Sequence, residues 1–198
     1  MFAGFAVLAL ALPSAASAQF SDSYNFLKAV RERNGEEATK FLNQHGSVII
    51  NTRDRANGET ALHIAVARRD ATWTSFLLQK GSNPNISDKA GMTPLMLAAQ
   101  LRFLDGARLL LSQKAKVNAA NDRGETALIR AVQLRDSEMV RFLLENGADA
   151  DITDTLAGLS ARDYAKRDKR ASAILSEIEK ADEKKKPAEN GRFFGPQG

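Results

Sequence analysis

The 198-residue chain has no cysteine. That excludes disulfides, thiolate metal sites and a lipid-modified cysteine, so packing and hydrogen bonds must hold the fold. Histidine is nearly as scarce, with His45 and His63 the whole supply. Two histidines at unrelated positions, with no cysteine beside them, form no metal-ligand pattern, and no metal is expected. The chain also has neither a nucleophile elbow nor a glycine-rich phosphate cradle, so neither an enzyme nor a cofactor is expected. Blocks of one charge sign are missing as well. The 28 basic and 24 acidic residues alternate to a net +4, which argues against a nucleic-acid or membrane-surface partner.

What is present begins with an apolar run at residues 2–12, too short to span a bilayer as a helix. Pro13 and then Ala16-Ser17-Ala18 follow, the small-x-small pattern that a signal peptidase cuts after. A signal peptide over residues 1–18 is therefore expected, cleaved between Ala18 and Gln19. The product would cross the inner membrane, reside in the bacterial periplasm and keep no membrane attachment. No Lys or Arg precedes the run, so either the true start lies upstream or the signal is minimal. An uncleaved anchor and a buried terminal helix are the competing readings.

Gly58, Gly91, Gly124 and Gly158 recur at intervals of 33, 33 and 34 residues. Each opens nearly the same phrase: Gly-Glu-Thr-Ala-Leu-His-Ile-Ala, Gly-Met-Thr-Pro-Leu-Met-Leu-Ala, Gly-Glu-Thr-Ala-Leu-Ile-Arg-Ala and Gly-Leu-Ser-Ala-Arg-Asp-Tyr-Ala. A period of 33 with a Thr-Pro-Leu-His-x-Ala-like opening resembles the ankyrin repeat. The resemblance implies an all-α solenoid of stacked helix-turn-helix units with β-hairpin-like turns between them. Five units are expected over residues 19–180: an N-terminal cap at 22–55, repeats at 56–88, 89–121 and 122–154, and a C-terminal cap at 155–180. A charged, disordered tail is expected at 181–198.

Within each unit the residues have assignable tasks. Thr60, Thr93 and Thr126 are placed to cap the first helix. Ala61, Leu62 and Ala65, with Leu95, Ala98, Leu128 and Ala131, form its packing side, where small residues permit close stacking. Asp70 and Asp136 are placed to cap the second helix, whose bulky stripe is Phe76-Leu77-Leu78, Leu109-Leu110-Leu111 and Phe142-Leu143-Leu144. Asn85, Asn118 and Asp151 recur at the unit ends. The first unit reads as helices at 24–33 and 36–45, turning at Asn34-Gly35, and the last as a cap with Arg162 in place of leucine. Repeat three departs from its neighbours in three ways, with Phe103 at the capping position, Gly106 inside the helix and Lys114 where Gly81 and Gly147 end theirs. It is expected to be the locally weakest unit.

The resemblance also implies a scaffold role for His63, as a hydrogen-bonding link between adjacent units, and a recognition surface on the concave side. That surface would comprise Arg55, Asn57, Glu59, Lys89, Met92, Arg123 and Glu125 at the hairpin tips. Arg68, Leu101, Arg130 and Leu134 would line the inner helices. Leu101 and Leu134 are either the apolar centre of a charged groove or mutually buried packing residues. At the turn between helices, where the family favours glycine, the chain has Gly35 and then Arg69, Arg102 and Arg135. These arginines, with Arg68 and the Lys166-Arg167, Lys169-Arg170 cluster, form either a basic ridge for an acidic protein segment or solvated side chains shielding helix ends. Phe193-Phe194 is either a docking motif or part of a solvated tail. The expected function is a monomeric, non-enzymatic module that binds an unidentified protein through its concave groove. The rival is an auxiliary or inhibitory factor of a periplasmic enzyme, for instance in stress defence.

Overall fold

The computed structural model describes residues 15–185. The apolar run at 2–12 and the Phe193-Phe194 pair lie outside them. The helices are α1 (Ala15–Arg31), α2 (Gly35–His45), α3 (Ser47–Ile50), α4 (Ala61–Ala67), α5 (Ala71–Gln79), α6 (Pro94–Gln100), α7 (Leu104–Ser112), α8 (Ala127–Gln133), α9 (Ser137–Glu145), α10 (Ala161–Arg167) and α11 (Ser172–Lys185). Helices α1, α4, α6, α8 and α10 pack in sequence as an inner row. In the outer row α5 packs on α7 and α9 on α11, and the Arg108 guanidinium of α7 lies 4.9 Å over the Phe142 ring of α9. No strand occurs among the described residues. Isolated antiparallel bridges at Arg53–Thr60, Ala120–Thr126 and Thr153–Ser160 close three of the hairpins instead.

The repeat phrase explains the local geometry. Thr93 accepts from the Met96 amide at 3.3 Å, Thr126 from Ile129 at 3.3 Å and Ser160 from Asp163 at 3.2 Å, so α6, α8 and α10 start capped. The next residues, Ala61-Leu62, Leu95, Ala98, Ala127-Leu128 and Ala131, are buried between units. Gly58, Gly91 and Gly124 hold φ of 80°, 74° and 72°. A Cβ there would also meet the next hairpin's backbone, 2.8 Å from the Lys89 nitrogen, 2.6 Å from that of Asp122 and 2.9 Å from that of Thr155. Those same amides donate to the preceding tip, Lys89 to the Asn57 carbonyl (2.9 Å), Asp122 to Ala90 (3.3 Å) and Thr155 to Arg123 (2.8 Å). Thus the recurring glycines let successive hairpins join by backbone hydrogen bonds.

A second ladder runs through the asparagines. Asn85 accepts from the Lys116 amide at 2.7 Å and donates to the Lys114 carbonyl at 3.1 Å. Asn118 repeats this with Asp149 (2.8 Å) and Gly147 (3.2 Å). Asp151 has no following repeat of that kind and pairs with Arg162 at 2.7 Å. Arg162 also holds Asp182 of α11 at 2.8 Å, which is why an arginine stands where the inner repeats bury leucine. Its two carboxylate partners raise its pKa, with the Asp151 hydrogen bond the largest cause.

Three expectations need correction. The last helix does not stop at Lys180: α11 continues to Lys185, held by the Arg162–Asp182 pair and by Ala181 against the core, so residues 181–185 belong to the cap. The first helix begins at Ala15 rather than near Tyr24, and a short α3 was not foreseen. Finally, Gly35 is not the turn residue matching Arg69. Arg33 is, at φ 57°, while Gly35 is the first residue of α2 after the Asn34 cap.

Repeat three shows two of its three expected deficits. No side chain caps α7, and Lys114 sits at φ 63°. Gly106, however, compensates for the first deficit. A Cβ there would lie 2.3 Å from two carbons of the Phe103 ring, and that ring is 5% exposed. The phenyl thus packs against bare helix backbone at the start of α7, where its neighbours carry an aspartate cap.

Candidate interaction surface

The inner row and the hairpin tips converge on one face. Each inner helix offers that face three register positions. In α4, α6, α8 and α10 the first runs Ile64, Leu97, Arg130 and Tyr164; the second Ala67, Gln100, Gln133 and Arg167; the third Arg68, Leu101, Leu134 and Asp168. Leu97, Leu101 and Leu134 are half-buried, with Leu97 and Leu101 resting on the core. They are therefore neither fully exposed nor mutually enclosed. Leu97 was missed in the sequence because the same position carries Ile64, which is buried, and Arg130, which is charged.

Several polar candidates are engaged within the chain. Arg68 donates to the Val30 and Arg31 carbonyls at 2.5 and 2.8 Å, closing the end of α1. Arg130 pairs with Glu125 at 2.8 Å and donates to Gln100 at 3.2 Å. Glu125 also accepts from Asn121 at 2.8 Å and lies 3.4 Å from Arg123. At the tips Arg55, Asn57, Lys89 and Arg123 are exposed, while Glu59 and Met92 are half-buried. The Lys89 ammonium bonds the Arg55 carbonyl at 2.6 Å, and the Asn57 side chain accepts from Glu59's amide at 3.0 Å.

The candidate ridge is a relay. Arg33, Arg69, Arg102 and Arg135 sit at φ of 57°, 54°, 53° and 54°. Arg33 pairs with Asp70 at 3.1 Å, Arg69 donates to the Arg102 carbonyl at 3.4 Å, Arg102 donates to the Leu134 carbonyl, and Arg135 binds Asp168 at 2.5 Å. Each reaches one unit forward, and two of them close the end of the next inner helix.

His63 is buried at the seam between repeats two and three. Its Nδ1 faces the Thr60 amide (3.2 Å) and hydroxyl (2.9 Å), and its Nε2–H donates to the Met92 carbonyl at 2.9 Å. Only the neutral ring satisfies both sides, and burial pushes its pKa down. His45 lies instead beside Asp22, at 3.2 Å. The histidines share no site. Among the described residues no group of three or more His, Cys, Asp or Glu is placed to hold a metal ion, and no helix is long and apolar enough to cross a membrane.

Comparison with known proteins agrees with this geometry. Over 79 residues the chain is 34% identical to the potassium channel AKT1 of Arabidopsis thaliana, an alignment covering 40% of this chain and 9% of the channel. The chain thus spans under a tenth of that relative's length. The family model for ankyrin repeats in three copies matches residues 26–121 and 74–154. With the repeat phrase, the capped helix pairs and the hairpin ladder, this match shows that the chain belongs to the ankyrin repeat family.

Proposed function

We propose that this chain is a non-enzymatic module that binds a polypeptide partner in the groove formed by its inner helices and hairpin tips. Ankyrin repeats generally mediate protein–protein interaction. The observation that carries the reading here is the half-buried row Leu97, Leu101 and Leu134, bordered by exposed charged tips. An apolar centre inside a polar rim is the anatomy of an interface. The fold supplies preorganisation: the backbone, asparagine and arginine links fix one unit on the next before any partner arrives, which limits the ordering entropy lost on binding. We place the module outside the cytoplasm, in the periplasm, on the strength of the apolar run at 2–12 and the Ala16-Ser17-Ala18 pattern.

Crosslinking pull-down from the exporting compartment tests the groove. The Leu101→Glu/Leu134→Glu protein should lose the partner captured by the parent chain while keeping its helical content. Capture that survives the double change removes the groove from the reading. If the variant unfolds, the two leucines are core, and Lys89→Glu/Arg123→Glu at the exposed hairpin tips tests the groove instead. Intact-mass measurement of the native protein tests export, with a chain starting at Gln19 expected and a chain retaining residues 2–12 refuting it.

A further inference from the structure

The row of hairpins is joined three times and then left open. Asn57, Ala90 and Arg123, each just ahead of a tip glycine, accept the Lys89, Asp122 and Thr155 amides of the next hairpin at 2.9, 3.3 and 2.8 Å. The matching acceptor of the last hairpin is the Ala157 carbonyl, and no amide of the described residues reaches it. Gly158 has the same left-handed φ as the other tips, 65°, yet a Cβ there would meet nothing within 4 Å among the described residues. At Gly58, Gly91 and Gly124 the next hairpin's backbone stands 2.8, 2.6 and 2.9 Å away. Leu156, in the same open tip, is 82% exposed, more than any other large hydrophobic of the described residues. Unpaired backbone beside an apolar side chain is a template for pairing.

The chain carries a match for this edge beyond α11. Gly191 stands 33 residues after Gly158, continuing the tip glycines in register, and Asn190-Gly191 repeats Asn57-Gly58. In that first tip the asparagine side chain accepts from the Glu59 amide at 3.0 Å, a brace that Asn190 offers equally to Arg192. Glu189 then takes the place of the donors Lys89 and Asp122, two residues ahead of their glycines. Ala188 stands where Asp88 and Asn121 bind their own tips' amides, so this tip depends on its neighbour for order. Phe193-Phe194 replace the Thr60-Ala61 that opens α4, and Gly195-Pro196, both poor helix formers, come next. The segment is thus a tip without the helix of a full unit. Helix α11 delivers it to the open edge: Asp182 holds Arg162 at 2.8 Å, two residues beyond the Thr153–Ser160 bridge that closes the last hairpin, and α11 ends at Lys185. Four residues from there to Glu189 span up to about 14 Å. We propose that residues 186–194 form a fifth hairpin tip on the C-terminal edge of the stack. The Glu189 amide donates to the Ala157 carbonyl, Asn190-Gly191 turns the chain, and Phe193-Phe194 covers Leu156. The row of tips then ends on a closed turn rather than on an edge open to another copy.

NMR of the full chain tests the contact, with a chain ending at Lys185 and a synthetic peptide of residues 186–198 as references. In the full chain the Glu189 amide is expected to exchange at least about tenfold more slowly than in the peptide, and the Leu156, Ala157 and Gly158 resonances should differ from those of the shortened chain. Glu189→Pro removes the donating N–H and should return those resonances to their positions in the shortened chain. Glu189→Ala keeps the N–H and should leave them unmoved. Phe193→Ala/Phe194→Ala should bring Glu189 exchange toward the peptide rate. All three variants change residues outside the described stack, and unchanged helical content is checked for each. Glu189 exchange at the peptide rate in the full chain, or identical 156–158 resonances in the full and shortened chains, overturns the proposal. Resonances that ignore Glu189→Pro, or that move equally in Glu189→Ala, overturn the backbone bond and its register. Protection that grows with protein concentration, in step with a dimer in sedimentation, gives the edge to a second copy and overturns the proposal as well.

Discussion

Gly106 is the position where helix propensity and packing make opposite forecasts. In an exposed helix interior, glycine to alanine gains about 1 kcal/mol. Here the added Cβ would fall 2.3 Å from two carbons of the Phe103 ring and 3.0 Å from a third, against an optimal carbon–carbon separation of about 3.5–4.0 Å. The ring would have to move by more than 1 Å, and it is 5% exposed with little space to move into. Overpacking of this kind costs about 1–3 kcal/mol, so Gly106→Ala is expected to be destabilising by about 1 kcal/mol after the propensity gain is subtracted. Once Phe103 is cut to alanine the clash is gone and only the gain remains. The same Gly106→Ala change should then stabilise by about 1 kcal/mol, a coupling of about 2 kcal/mol between the sites. Urea denaturation of the four proteins in this cycle measures it through the midpoints, provided the slopes agree. A Phe103→Leu background serves if the alanine protein does not fold. Stabilisation by Gly106→Ala in both backgrounds would refute the claim that glycine is there to admit the ring.

Three further outcomes follow from the same geometry. Lys114→Gly should stabilise by about 1 kcal/mol in denaturant melts, because Lys114 holds φ 63° where Gly81 and Gly147 hold φ 92° and 86°. Because burial lowers the His63 pKa, the unfolded chain takes up that proton first as pH falls. Stability should be full above the ordinary imidazole value of about 6.5 and decline as pH drops from there through the folded value. His63→Asn should flatten that slope, and an unchanged slope would assign it elsewhere. Arg102→Ala should lower the melting temperature more than Arg102→Gly, since both lose the bond to Leu134 but only glycine relieves φ 53°.

Most of the fold was legible because a repeat states its rules several times. Threonine caps, small residues at helix crossings and glycines at the tips recur at one spacing, and each has one physical reason that repetition makes visible. What stayed hidden was singular or relational. Phe103 and Gly106 each read as a defect alone, and their compensation appears only when the ring is seen lying on the helix. Arg33 escaped because the first unit is out of step with the 33-residue period, so aligning it by a nearby glycine gave the wrong turn residue. Leu97 escaped because burial at its register position changes from unit to unit. The continuation of α11 to Lys185 depended on Asp182 meeting Arg162, a contact between residues 20 apart with no periodic signature. For the interaction surface, the sequence located the positions but not which charges were already committed.

That last distinction bears on why arginine occupies turns that favour glycine. Left-handed backbone at a non-glycine residue costs about 1 kcal/mol, and the chain accepts it at Arg33, Arg69, Arg102 and Arg135. Glycine would relieve the strain but could not reach the next unit. In a stack where each unit touches only its neighbours, stability and rigidity depend on those nearest-neighbour terms. A long cation set at a helix end, where the dipole is negative, supplies one such term in the second and third turns. The series ends where this logic requires. One unit further on, Asp168 caps α10 at the position of Leu134, with φ −93°, and accepts from Arg135, while Lys169, which matches Arg135, begins a 3-10 turn. A further turn arginine at position 169 would have no following inner helix to reach among the described residues, whereas Asp168 completes the contact already made. Because the relay couples its cations to carbonyls and carboxylates within the stack, its charge serves cohesion. The hairpin cations are engaged in the same way, Arg53 with the Gly58 carbonyl at 3.2 Å, Lys89 with the Arg55 carbonyl at 2.6 Å and Arg123 beside Glu125 at 3.4 Å. One edge of the stack is therefore held by arginines reaching forward from the turns, and the other by backbone bonds between successive hairpins.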